Sequence, residues 1–124
     1  MVPARRAGFE EFSDGYQAKV VVVSGGAVGE EFSLDQDRVT LGRGPGVDLM
    51  FNDPAMSRQH AVLTYTSDGF RLQDLGSTNG VLVNGKPVQA AEIDHGDRFE
   101  VGGHELQLVI VEREEAPETY ELEV

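Results

Sequence analysis

The strongest constraint on this chain is its punctuation. Short β-branched or alternating segments are cut at close intervals by glycine-bearing turns, and no segment carries a helical period of useful length. Ala18-Lys19-Val20-Val21-Val22-Val23 stops at Ser24-Gly25-Gly26 and reads as a buried strand. Glu31-Phe32-Ser33-Leu34 and Arg38-Val39-Thr40-Leu41 alternate, the second ending at Gly42. Ala61 to Thr66 puts Ala61, Leu63 and Tyr65 on one face, turns at Ser67-Asp68-Gly69, and resumes alternation in Phe70-Arg71-Leu72-Gln73, which predicts a hairpin. Val81-Leu82-Val83 runs into Asn84-Gly85, a pair suited to positive φ at both central turn positions. A further hairpin is predicted from Asp97–Val101, Gly102-Gly103 and His104–Val111, with Leu106, Leu108 and Ile110 on one face. Many short strands joined in this way predict an all-β sandwich or barrel.

At 124 residues the chain is one domain's worth and can bury a core without covalent staples. It has no cysteine, which excludes disulfides and thiolate zinc sites and suits a reducing, cytoplasmic setting. The basic start Met1-Val2-Pro3-Ala4-Arg5-Arg6 is followed by Gly8-Phe9-Glu10-Glu11-Phe12 where a signal peptide needs an apolar run, and no stretch approaches membrane-spanning length. A formal net charge of -12 disfavours nucleic acid and anionic membranes as partners. Roughly half of that acidity sits in the ends; residues 112–124 alone hold six acidic groups against one base, Arg113. Three parts are expected: a loose polar arm over 1–16, a β domain over 17–112 and an acidic tail over 113–124.

Strand alternation explains the core but leaves four clusters between strands, where binding residues concentrate. Leu41-Gly42-Arg43-Gly44 offers a permanently charged planar donor beside glycines that permit close backbone approach. Met56-Ser57-Arg58-Gln59-His60 offers a hydroxyl, a second guanidinium and a histidine best read as holding a loop. Leu75-Gly76-Ser77-Thr78-Asn79-Gly80 packs small hydrogen-bonding side chains between two glycines. The fourth, Val83-Asn84-Gly85, is by itself a hairpin turn. Each alone is also an ordinary turn with polar side chains.

In this order and spacing the four clusters closely resemble the signature of the forkhead-associated domain, over roughly residues 18–111. The resemblance implies a two-sheet, largely antiparallel β-sandwich whose loops at one end bind phosphothreonine peptides. It implies that Arg43 and Ser57 contact the phosphate, with Arg58 near the phosphate or peptide. Thr78 would help bind the phosphate or shape the pocket for the threonine methyl, and Asn79 would grip the peptide backbone. Gly42, His60, Gly76, Gly80 and Gly85 would shape the site. Val81 stands where a threonine or similar residue is usual after Asn79-Gly80. The expected partner is a threonine-phosphorylated protein, a Ser/Thr kinase or its substrate, with no cofactor and no metal.

A phospho-independent assembly domain on the same fold is the alternative, disfavoured by the intact Arg43, Ser57 and Asn79. An enzyme is disfavoured further. Ser57 and His60, three apart on an extended chain, make a poor dyad, and His60, His95 and His104 lack metal-ligand spacing. Thr119, in Glu118-Thr119-Tyr120-Glu121, reads as an unmodified tail residue. Its alternative role is a phosphosite that docks in its own socket or another copy's, aided by tethering.

Overall fold

The computed structural model of the protein describes residues 4–113. One helix, α1 (Ala4–Gly15), precedes eleven strands. These are β1 (Tyr16–Ser24), β2 (Glu31–Ser33), β3 (Arg38–Gly42), β4 (Leu49–Met50), β5 (Ala61–Thr66), β6 (Gly69–Asp74), β7 (Val81–Val83), β8 (Lys86–Val88), β9 (Ala90–Ile93), β10 (Arg98–Val101) and β11 (His104–Glu112). They form a six-stranded sheet ordered β2-β1-β11-β10-β7-β8 and a five-stranded sheet ordered β4-β3-β5-β6-β9. Among the described residues every pairing is antiparallel except the short β3–β4 pair.

The pleat decides which side chains meet between the sheets. Ala18, Val20 and Val22 of β1 are buried at alternate positions, as are Leu106 and Leu108 of β11, while Val39 and Leu41, Leu63, and Phe70 and Leu72 supply the opposing layer. β1 and β11 pair from Tyr16↔Glu112 to Val22↔Leu106, so the first and last strands close the centre of one sheet. The two-residue turn after β7 carries Asn84 at φ 49° and Gly85 at φ 86°, the positive values its dipeptide favours.

Three strands have little signature of their own. β4 is two residues long. β8 contains Pro87, which lacks a ladder donor and is tolerated because β8 is an edge strand. β9, Ala90-Ala91-Glu92-Ile93, has one strong β-former and is fixed by pairing with β6.

The segment 1–16 departs from the expected loose arm, since Ala4–Gly15 is helical. Its order comes from tertiary packing rather than helical propensity. Phe12 lies 4.9 Å from the Tyr65 ring, 5.5 Å from Phe70 and 5.5 Å from Tyr16, and Phe9 lies 5.7 Å from Tyr65. Two phenylalanines one helical turn apart thus plug the end of the sandwich where β1 begins and β11 finishes. Arg113 secures the junction, its backbone N–H donating to the Gly15 carbonyl and its Nε to the Ser13 carbonyl. The tail beyond Arg113, Thr119 included, lies outside the described residues. No described helix is long and apolar enough to cross a membrane.

The loop between β3 and β4 is stapled at its base. The Asp48 carboxylate accepts from the Thr40 N–H at 2.8 Å and the Thr40 hydroxyl at 3.1 Å, while the Asp48 N–H donates to Thr40 Oγ1 at 3.0 Å. The Thr40 backbone bond, aided by its hydroxyl, Gln36 and the Arg38 charge, holds the Asp48 pKa below its ordinary 3.8.

Two outcomes follow. Phe12→Ala should lower the free energy of unfolding by about 1–3 kcal/mol in urea titration, because it strips the half-buried plug; an unstructured arm would give no change. Because Asp48 has a lowered folded pKa, its contribution to stability is fully present above the ordinary aspartate value and is lost as pH falls through the lowered one. Asp48→Asn should therefore lose less stability than the parent chain between neutral pH and pH about 3, read by urea titrations at stepped pH.

Candidate functional site

Three of the four clusters singled out in the sequence lie at the end of the sandwich away from α1, on the loops after β3, before β5 and after β6, whereas the fourth, after β7, lies at the α1 end beside Asp97. The first three loops interlock. The Arg43 N–H donates to the Ser57 carbonyl at 2.9 Å and the Gly44 N–H to the Arg58 carbonyl at 3.1 Å, joining the first loop to the second. The Thr78 N–H donates to Ser57 Oγ at 3.0 Å, and Asn79 Nδ2 donates to the Ala55 carbonyl at 2.9 Å, joining the second to the third. Gly42 is required at the first junction because a Cβ there would sit 2.0 Å from the Arg58 carbonyl oxygen.

Beneath these contacts lies His60, fully buried at the entrance to β5. Its Nδ1 accepts from the Ser57 backbone N–H at 3.0 Å, so Nε2 carries the proton and donates to the Gly80 carbonyl at 2.8 Å. Its backbone N–H donates to the Leu41 carbonyl and its carbonyl accepts from Leu75. One residue therefore touches the strand before Gly42 and both other loops. With both ring nitrogens committed to backbone groups, the imidazole has no nitrogen left to activate the Ser57 hydroxyl. Ser57 and His60 are neighbours in a brace rather than a nucleophile and its base.

The groups left over face a common purpose. Arg43 is exposed and anchored through Nε to the Met56 carbonyl at 3.0 Å, which leaves both terminal amino groups of its guanidinium as donors. Ser57 Oγ accepts from Thr78, which leaves its own O–H to donate. Thr78 enters the junction through its backbone and keeps its side chain at the surface, and Asn79 retains a carbonyl oxygen and a second amide hydrogen. Arg58 is exposed, with its Cβ and Cγ packed beside Gly44. Gly76 and Gly80 bracket the third loop at φ 77° and 80°. The Asn84-Gly85 turn stays apart from this cluster; Asn84 instead binds the N–H of Arg98 and the Asp97 carboxylate.

Sequence reasoning left out the residues that hold the loops from behind. Asp74 accepts from the Ser77 N–H and Ser77 Oγ from the Gly80 N–H, each at 2.9 Å. Asp-x-x-Ser and Ser-x-x-Gly spacings are legible signals of such side-chain caps. Asp53 Oδ1 accepts from the Ala55 N–H at 2.8 Å, while its Oδ2 lies 3.0 Å from Nε2 of the buried His104, within ion-pairing distance but not aligned as a hydrogen bond. No spacing rule links residues 53 and 104.

A profile of the FHA domain matches residues 39–102. The oxoglutarate dehydrogenase inhibitor of Corynebacterium jeikeium is 35% identical over 103 residues, covering 83% of this chain and 71% of that protein. The glycogen accumulation regulator GarA of Mycolicibacterium smegmatis is 37% identical over 89 residues, covering 72% of this chain and 56% of that protein, so the match spans little more than half of this second relative. A solved structure from a structural and functional analysis of phosphothreonine-dependent FHA domain interactions superposes with a TM-score of 0.68 at 28% identity, covering 75% of this chain and 95% of the other. With that profile, those relatives and this two-sheet fold in agreement, the chain belongs to the forkhead-associated (FHA) family.

Proposed function

We propose that the chain holds threonine-phosphorylated segments of partner proteins in a socket made by Arg43, Ser57 and the loop carrying Thr78 and Asn79, and so recruits those partners in Ser/Thr kinase signalling. The observation that carries this reading is the convergence of three loops through direct hydrogen bonds, Arg43 to Ser57 and Ser57 to Thr78, with donors to spare. A phosphothreonine carries about -1.5 to -2 charge near neutral pH and three strong acceptor oxygens. A guanidinium, a hydroxyl and an amide are the complementary set. Hydrogen bonds to a charged group contribute roughly 1.5–3 kcal/mol each, and three of them approach the roughly 8 kcal/mol of micromolar binding before ordering costs. Arg58 would add charge near the phosphate or peptide, and Asn79 would hold the peptide backbone.

Binding rather than catalysis agrees with the commitment of His60 to backbone groups. The two relatives are named for inhibiting a dehydrogenase and for regulating glycogen accumulation, which favours a regulatory role. A ligand made by a kinase fits a cytoplasmic setting, as does a chain without cysteine.

Titration with a phosphothreonine peptide library and its unphosphorylated copies should show binding only to phosphorylated members. Arg43→Ala should weaken that binding about 10- to 100-fold. Equal binding of both sets, or capture of a partner that survives Arg43→Ala, would favour a phospho-independent assembly role instead. His60→Ala leaves the Ser57 N–H and the Gly80 carbonyl without partners, so it should cost about 2–4 kcal/mol of stability by urea titration. At temperatures where the variant stays folded, peptide affinity should fall as well, because the brace sets the spacing of two loops.

A further inference from the structure

A cleft with a volume of about 380 Å³ lies at the opposite end from the socket, under α1. Its floor is aromatic, formed by Phe12, Tyr16, Tyr65 and Phe70. These rings stack or meet edge to face at centroid distances of 4.9 to 5.5 Å. Tyr16 remains 44% exposed and Phe12 and Tyr65 are half-buried, so these three rings offer surface to a ligand above the buried Phe70. Four carboxylates ring the opening: Asp68, Glu92, Asp94 and Asp97. Asp97 is engaged in its own turn, accepting from the Asp94 N–H and from Asn84.

Charge separates the possible occupants. Among the described residues, the close acid–base contacts within 4.0 Å are the Lys19–Glu31 ion pair and the Asp53–His104 contact, and neither is at this cleft. Arg71 stands opposite Glu92 in the β6–β9 register and Arg98 follows Asp97 in sequence, yet neither forms an ion pair with these acids. Arg113 is occupied at Nε by the Ser13 carbonyl. His95, beside Asp94, accepts from the Ile110 N–H through Nδ1. An aromatic floor attracts a cation over its ring faces, and a carboxylate rim attracts the same cation. The rim repels nucleic acid, anionic lipid and this chain's own tail, whose residues 114–124 hold five acids and no base. A second copy, at net charge -12, is disfavoured for the same reason.

We propose that this cleft is a second docking surface that takes an arginine or lysine side chain, flanked by apolar residues, from a partner protein. β5 and β6, which connect Tyr65 and Phe70 of the cleft to the loops carrying Ser57 and Thr78, are six residues each, so the cleft lies about 20 Å from the phosphate socket. An extended segment spans at most about 3.6 Å per residue, so a partner segment needs on the order of six residues or more beyond its phosphothreonine to reach both ends. The proposal stands whether or not the socket binds phosphate.

The test is amide NMR on the full chain, titrated with a capped leucine–arginine–leucine peptide, with leucine–glutamate–leucine and leucine–citrulline–leucine peptides as controls. Saturable shifts are expected at Tyr65, Phe70, Ile93 and Ile110, with Ser57 and Thr78 unmoved and with the same response in the presence of saturating phosphothreonine peptide. The exposed double variant Asp68→Asn/Glu92→Gln should bind the arginine peptide about five- to tenfold more weakly. Absence of saturable shifts, equal shifts with the glutamate or citrulline peptide, or unchanged affinity in the double variant would each overturn the proposal.

Discussion

The buried imidazole of His60 is the interaction on which the loop end depends. Loops carry polar backbone groups that a packed core cannot leave unpaired. Here one neutral ring satisfies an N–H on one loop, 3 residues before it in sequence, and a carbonyl on another, 20 residues after it. A residue with only a donor, or only an acceptor, could satisfy one loop and would strand the other. The separation between Ser57 and Gly80 is therefore set by the width of an imidazole rather than by loop flexibility. That rigidity is what an anion socket needs, since donors already in position lose less entropy when the ligand arrives.

How much of this was legible in the sequence follows from the range of each interaction. Val20, Val22, Leu63 and Leu72 announce themselves because alternation is a local property, and the Asn84-Gly85 turn is legible because its backbone angles select its residues. Arg43, Ser57 and Asn79 were found through spacing that resembles a known signature, and the hydrogen bonds among their loops supply the physical reason for that spacing. The helix α1 was not legible. It has two glycines and a mostly polar surface, and only Tyr65 and Phe70, some fifty residues later, make Phe9 and Phe12 worth ordering. β4 and β8 are too short or too proline-marked to stand out. The contact between Asp53 and His104 depends wholly on the sandwich bringing the β10–β11 turn beside the loop before β5.

On a chain of net charge -12, the proposed anion site needs its field to be local. Screening makes this workable: at physiological ionic strength charges beyond about 8 Å are strongly attenuated, whereas direct hydrogen bonds from a guanidinium, a hydroxyl and an amide act at about 3 Å. The acidic tail departs from the far end of the sandwich, where Glu112 pairs with Tyr16, rather than beside Arg43. Global acidity thus sets which surfaces attract cations, while short-range donors decide what the socket holds.

The two ends of the sandwich consequently differ in kind. At one end, backbone amides, Arg43 and Ser57 are spaced by a buried histidine into a polar, hydrogen-bonded surface. At the other, β1 begins and β11 ends beside the turns that follow β5, β7 and β9. Phe9 and Phe12 of α1 pack on Tyr65 and Phe70, leaving Phe70 buried and Tyr65 and Ile110 half-buried. A twelve-residue helix is too short to hide the whole opening, and the carboxylates of the β5–β6 turn and the end of β9 occupy what remains of the rim. The aromatic cleft is thus a consequence of how the chain finishes its core, and its charge follows from the composition of the turns beside it.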